Sequence, residues 1–141
     1  MSGFLLDTNC ISELVRQKPE PRVLEWLEAT DEAVLYLSVL TLGEIRKGLA
    51  GLPQSKQRTR LETWLDVKLT SRFAGRILPI DFQVANRWGL LAATAKSKGR
   101  ALSTIDGLLA ATALHHNLTI VSRNVTDFVI TQVPVLSPWE A

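Results

Sequence analysis

Phe4-Leu5-Leu6-Asp7-Thr8-Asn9-Cys10-Ile11 sets three apolar residues directly before an acid and two further polar side chains, and the apolar spacing then changes. Ser2 to Leu6 reads as a short buried strand. Asp7-Thr8-Asn9 forms its polar stop, and a helical pattern continues through Arg16. The same alternation recurs along the chain. Pro19 and Pro21 bracket a turn, and Val23, Leu24, Trp26 and Leu27 give one apolar face to a helix ending near Thr30. Val34 to Leu37 is a second strand, and Ser38 caps a helix carrying Leu42, Ile45 and Leu49 until Gly51 and Pro53 end it.

Gln54 to Arg72 has the pattern of a long amphipathic helix, with Leu61, Trp64, Leu65 and Leu69 as its apolar stripe. Ile77 to Ile80 is a short strand, and Asp81 is the cap of a helix reaching Gly99. Gly89 lowers propensity inside that helix and points to a close helix contact there. Ser103-Thr104-Ile105-Asp106 opens a small-residue helix, Gly107 to His115, which stops at Asn117 before the strand Thr119 to Val121. Strands alternating with helices argue for a three-layer α/β/α sandwich around a central parallel sheet, whose ligands gather beyond the carboxyl ends of the strands. No repeat or linker divides residues 1–141, which read as one domain.

Composition limits the function. The chain is 46% hydrophobic and 21% charged, which is globular usage and excludes a disordered or fibrous chain. No apolar run approaches the roughly 20 residues that cross a bilayer, so a soluble, cytoplasmic protein without a membrane partner is expected. With Cys10 as the single cysteine and His115-His116 as the whole histidine inventory, an intrachain disulfide is impossible and a structural zinc site lacks ligands. The net charge of +2 conceals −5 over residues 1–45, +9 over 46–100 and −2 over 101–141. A basic middle flanked by acidic ends suits a polyanion-facing surface beside a cation-binding one. The plainer alternative is that Lys56, Arg58, Arg60, Lys68 and Arg72 only solvate a helix face.

Four acids stand out. Asp7 and Asp127 each follow a strand and fall on the same edge of a parallel sheet. Glu44 lies about two turns into its helix and Asp106 opens its own, each helix able to lay an acid over that edge, and both acids interrupt apolar surroundings, where a carboxylate should be paired or bound to a cation. Singly, Asp7 could be a cap, Glu44 a solvated acid and Asp106 a dipole-stabilising residue worth up to about 1 kcal/mol. Together they make an all-oxygen site suited to Mg²⁺ or Mn²⁺. Crowded like charges should leave at least one acid with a raised pKa. Such a site supports metal-assisted phosphodiester hydrolysis. Thr8, Asn9, Ser38 and Asn124 lie beside the acids and either orient them or serve as caps and turns. Arg46, Lys47 and Arg123 are the candidate RNA contacts, with Arg123 equally able to pair with a neighbouring acid.

These segments resemble a known family. Phe4 to Asn9, Ser38 with Glu44, Thr104-Ile105-Asp106-Gly107-Leu108-Leu109-Ala110-Ala111-Thr112-Ala113, and Ser122-Arg123-Asn124-Val125-Thr126-Asp127-Phe128 together are similar to the PIN-domain nucleases, and more narrowly to VapC and FitB-type toxins. Leu78-Pro79-Ile80-Asp81 with Trp88-Gly89 adds to the FitB-like pattern. The resemblance implies the PIN-like α/β/α fold and an acidic site of Asp7, Glu44, Asp106 and Asp127 carrying Mg²⁺ or Mn²⁺. It also implies RNA cleavage by a type II toxin, homodimerisation, and inhibition by a small VapB- or FitA-like antitoxin through which any DNA is contacted. Ser122 stands where many relatives have threonine, so the hydroxyl is kept. Two other readings compete. An aspartyl-phosphate phosphatase would use Asp7 as nucleophile, but Asn9 stands where such enzymes need a second aspartate. A catalytically silent RNA- or partner-binding module would share the fold without cutting.

Overall fold

The computed structural model describes residues 2–140, so the two terminal residues of the expected domain lie outside it. Strand β1 (Phe4–Leu6) runs into helix α1 (Thr8–Ser12), which tightens into a 3-10 turn at Glu13–Val15. Helix α2 (Pro21–Ala29) takes Pro21 in its first turn, where the missing N–H has no intrahelical partner to lose. Next come β2 (Leu35–Ser38) and α3 (Val39–Ala50), with the Ser38 hydroxyl accepting the Leu40 N–H at 3.0 Å. Helix α4 (Lys56–Thr63) passes without a break into a π segment (Trp64–Leu69) and the short α5 (Thr70–Arg72). The long amphipathic helix is therefore present, with a π segment that periodicity did not disclose.

Strand β3 (Ile77–Leu78) leads to α6 (Phe82–Ser97), capped by Asp81 through a 3.0 Å bond from the Val84 N–H. Helix α7 (Thr104–His116) is capped by Ser103 and closed by Asn117 in the left-handed region at φ 58°. Strand β4 (Thr119–Val121) matches its expected span. The 3-10 stretch Val125–Thr131 and the edge strand β5 (Val135–Leu136) carry too little periodicity to be read from sequence.

The sheet order is β3-β2-β1-β4-β5, and its neighbouring strands pair in parallel. Successive strand residues point to opposite faces, and the core divides accordingly. Leu6, Leu35, Leu37 and Val121 pack beneath α1, α2, α3 and the π segment, with Phe73 fully buried among them. Leu5 and Ile120 pack on the other face against α7 and Phe128. This is the expected layered arrangement, with β1 in the middle and the carboxyl ends of β1 and β4 side by side.

The close helix approach lies elsewhere than Gly89. A Cβ on Gly89 would meet nothing within 4 Å, whereas one on Gly107 would stand 2.8 Å from Trp88 Cδ1. The indole of α6 therefore sits against the bare backbone of α7. Gly89 is one residue along from that indole and faces open space.

Candidate active site

Asp7 ends the central strand and caps the helix after it. Its backbone N–H donates to the Val121 carbonyl at 2.9 Å, so the residue is tied to β4 before its side chain is considered. One carboxylate oxygen accepts the Thr8 N–H at 2.7 Å and the other accepts the Ser122 hydroxyl at 2.8 Å. The side chain is buried at 9% exposure, and its pKa is raised. Burial is the largest cause, the bonds from Ser122 and Thr8 pull the other way, and the charges of Glu44 and Asp106 add to the rise.

Glu44, half-buried on α3, is held at long range in sequence by the Thr8 hydroxyl, which donates to Oε1 at 2.5 Å. Asp106, half-buried in the first turn of α7, also has a raised pKa, again mainly from burial and then from the charge of Asp127. Asp127 is exposed in the 3-10 stretch after β4. The four acids thus influence one another in sequence, Glu44 and Asp106 on Asp7 and Asp127 on Asp106. Among the described residues no three acids stand close enough to form a ready-made metal cage. A raised pKa was expected from like-charge crowding. It is found on Asp7 and Asp106, but desolvation contributes more than repulsion at both.

The polar neighbours divide by role. Thr8 positions Glu44. Asn9 spans the ends of β1 and β4: its amide donates to the Ser122 hydroxyl at 3.3 Å, and its carbonyl accepts the Arg123 N–H at 3.3 Å. Ser38 is fully buried and acts as the cap of α3. Asn124 contributes its backbone N–H, which donates to Ser122 Oγ at 3.0 Å. Ser122 is the centre of this group and was absent from the candidate site residues. Its signal was its position, one residue past β4, in register with Asp7 one residue past β1.

The candidate cations also separate. Arg46 is ion-paired with Asp66 and lies 3.9 Å from Glu62. Lys47 lines a groove along α3 together with Glu44, Gly48 and Ile105. Arg123 is exposed, and its charge helps lower the pKa of Glu20, chiefly an effect of the Arg22 hydrogen bond. Within the basic stretch, Arg58 lies 3.7 Å from Glu62, and Arg72 and Arg76 both bind Glu32. Arg76 also donates to the Glu32 and Leu35 carbonyls at 2.6 and 2.7 Å, which fixes the approach to β3. Four of the twelve basic residues in the middle stretch, Arg46, Arg58, Arg72 and Arg76, are therefore engaged by acids of the chain itself.

Comparison with known proteins identifies the family. The PIN domain family matches residues 4–129. The chain is 38% identical over 137 residues to VapC ribonuclease Y4jK of Sinorhizobium fredii, covering 97% of this chain and 98% of that protein. It is 40% identical over 136 residues to Toxin FitB of Neisseria gonorrhoeae, covering 96% and 98% respectively. The crystal structure of FitAcB from Neisseria gonorrhoeae superposes with a TM-score of 0.93 at 39% identity, over 98% of this chain and 99% of that one. A buried aspartate just past the central strand, with acids from two helices acting on its charge, stands in a chain that belongs to the PIN-domain family.

Proposed function

We propose that this chain is the toxin of a type II toxin–antitoxin pair and an endoribonuclease that hydrolyses RNA phosphodiester bonds at Asp7, Glu44, Asp106 and Asp127. The observation that carries the reading is Asp7, a buried carboxylate fixed by two donors and electrostatically linked to Glu44 and Asp106. The donors are all oxygens, and a cation would relieve the cost of keeping Asp7 and Asp106 charged, so the residues fit Mg²⁺ or Mn²⁺.

Hydrolysis of a phosphodiester requires a nucleophilic water, neutralisation of charge on the non-bridging oxygens and stabilisation of the departing 3′ oxygen. A bound divalent ion supplies a lowered water pKa and positive charge at the phosphate. The chain supplies the rest. Asp7 and Asp106 would be ligands, and Glu44, held by Thr8, would complete the set from α3. Asp127, whose charge acts on Asp106, would work through it or on the ion itself. Arg123, exposed beside the site, is available to a substrate phosphate. The rigidity of Asp7 matters because a preformed ligand loses little freedom when the charged substrate arrives.

The partners follow from the same reading. Solved relatives include FitAB bound to an IR36 DNA fragment, at 38% identity and a TM-score of 0.91. By analogy this chain pairs with a small VapB- or FitA-like antitoxin, forms a homodimer and meets DNA through the antitoxin. An RNA-cleaving toxin of this kind acts in the cytoplasm. Among the described residues no helix is long and apolar enough to cross a membrane.

The test is cleavage of total RNA by the purified chain with Mg²⁺, with EDTA, and with Asp7→Asn. Activity lost in EDTA and in the variant supports the assignment. Cleavage retained by Asp7→Asn and Asp106→Asn would place the chemistry elsewhere. Specific RNA binding without any cleavage would instead identify a silent binding module.

A further inference from the structure

A groove adjoins the acidic site at Thr8 and Glu44. Its first section is bounded by Thr8, Glu44, Val15 and Trp64, and a second of about 310 Å³ continues from Val15 and Trp64 to Gln57, Arg60 and Lys68. Val15, Leu61 and Trp64 line both sections, so the stretch beside Glu44 and the stretch beside the two cations are neighbours.

The wall of this groove has a specific charge pattern. Arg46, Arg58 and Arg72 of the same basic stretch are engaged by Glu62, Asp66 and Glu32. Arg60 and Lys68 are exposed and have no ion-pair partner among the described residues. Trp64 lies between them in sequence, half-buried, with its inner part against the core and the remainder on the groove. The backbone accounts for the alignment. Residues 60, 64 and 68 are spaced by four, and an α-helix overshoots a full turn by about 40° over four residues. The wider i→i+5 winding of Trp64–Leu69 turns back in the opposite sense, so Arg60 and Lys68 come to the same face with the indole between them.

Unpaired cations flanking an aromatic face form the surface that binds a single-stranded nucleic acid, with phosphates on the charges and a base on the ring. We propose that this groove is a subsite for single-stranded RNA, in which Trp64 stacks on a base and Arg60 and Lys68 hold the phosphates on either side. The inference rests on the ribonuclease reading and extends it. The chain engages an unpaired strand at a site separated from the cut, and a duplex, whose bases are already stacked, gains nothing from the indole.

Binding measured without cleavage tests this. A fluorophore-labelled, uridine-only single-stranded RNA is titrated with the full-length protein in EDTA by anisotropy, across a range of salt. Arg60→Gln with Lys68→Gln should weaken binding at least about tenfold at moderate salt and reduce the slope of log affinity against log salt by about 1.4, two single-strand phosphate contacts. Trp64→Leu should weaken binding by about fivefold to a hundredfold, and Trp64→Phe, which keeps a ring, should recover most of the loss. Lys96→Gln with Lys98→Gln removes the same charge from the far end of α6 and should change neither affinity nor slope. Melting temperatures show that each variant is folded.

Wild-type affinity in the Arg60/Lys68 variant, or equal binding of a duplex of the same length, would overturn the proposal. Intact RNA binding by the groove variants together with loss of a copurified antitoxin would identify the occupant as a protein segment, and would overturn it too. Because EDTA silences cleavage, failure here leaves the ribonuclease assignment untouched. Loss of that assignment, through cleavage that survives Asp7→Asn, would leave the binding result standing.

Discussion

The Ser122 hydroxyl donates to Asp7 Oδ2 at 2.8 Å while accepting from Asn9 Nδ2 at 3.3 Å and from the Asn124 N–H at 3.0 Å. A hydroxyl has one proton and two lone pairs. With both lone pairs taken, its proton has one direction left, toward Asp7. Asn9 and Asn124 thus act on the carboxylate through Ser122.

Ser122→Ala should therefore weaken the site beyond the loss of one contact. A hydrogen bond to a charged group is worth about 1.5–3 kcal/mol, and removing this one takes away an influence that lowers the Asp7 pKa. The expected result is a cleavage–pH profile whose acidic limb moves to higher pH, with Ser122→Thr close to wild type. An unmoved limb in Ser122→Ala would mean that this bond does not govern Asp7.

The raised pKa of Asp7 also predicts the pH dependence of stability. Because the folded pKa lies above the unfolded one, the folded state holds the proton more readily. Stability should fall as pH rises from the unfolded value through the raised folded value, and stay lower above it. Urea midpoints in EDTA should show this fall in the wild type and a flatter profile in Asp7→Asn. Mg²⁺ or Mn²⁺ should restore stability to the wild type far more than to the variant, by about 2.7 kcal/mol at a hundred times Kd. Equal metal responses would remove Asp7 from the ligand set.

The two helix glycines should respond in opposite directions to alanine. Gly89→Ala fills open space in a helix interior and should add about 0.5–1 kcal/mol of stability. At Gly107 the same propensity gain is outweighed. The new Cβ would lie 2.8 Å from the Trp88 ring, and overpacking of this kind costs about 1–3 kcal/mol. Chemical denaturation compares the pair. A stabilised Gly107→Ala would mean that α6 yields freely, contrary to the packing described.

Cys10 should be inert while the chain is folded. Burial, followed by the charges of Asp7 and Glu13, pushes its thiol up to about 12, and its side chain is fully enclosed. Ellman's reagent should label the protein only as fast as it unfolds. Rapid stoichiometric labelling of native protein would contradict the enclosure.

The central strands, the caps at Ser38 and Asp81, the helix opening at Ser103, the Asn117 stop and the edge bearing the acids were legible because each depends on local pattern: apolar runs, side-chain oxygens before helices, one residue tolerant of positive φ. The π segment, the Trp88–Gly107 contact and the hub at Ser122 were not. Each is set by what a distant segment places opposite. Gly89 and Gly107 look equivalent along the chain, and only the packing of α6 on α7 separates them. The cations of the middle stretch likewise appear uniform in sequence. Glu32, Glu62 and Asp66, brought in by the fold, decide which are occupied.

The position of β1 in the sheet has a consequence for biosynthesis. Asp7, one residue past β1, is synthesised 115 residues before the hydroxyl that fixes its carboxylate, and β1 equally precedes its neighbour β4. Pairings this distant form late, because the intervening loop must be closed before they are rewarded. A nascent or prematurely terminated chain carries Asp7, Glu44 and Asp106 without the frame that joins them.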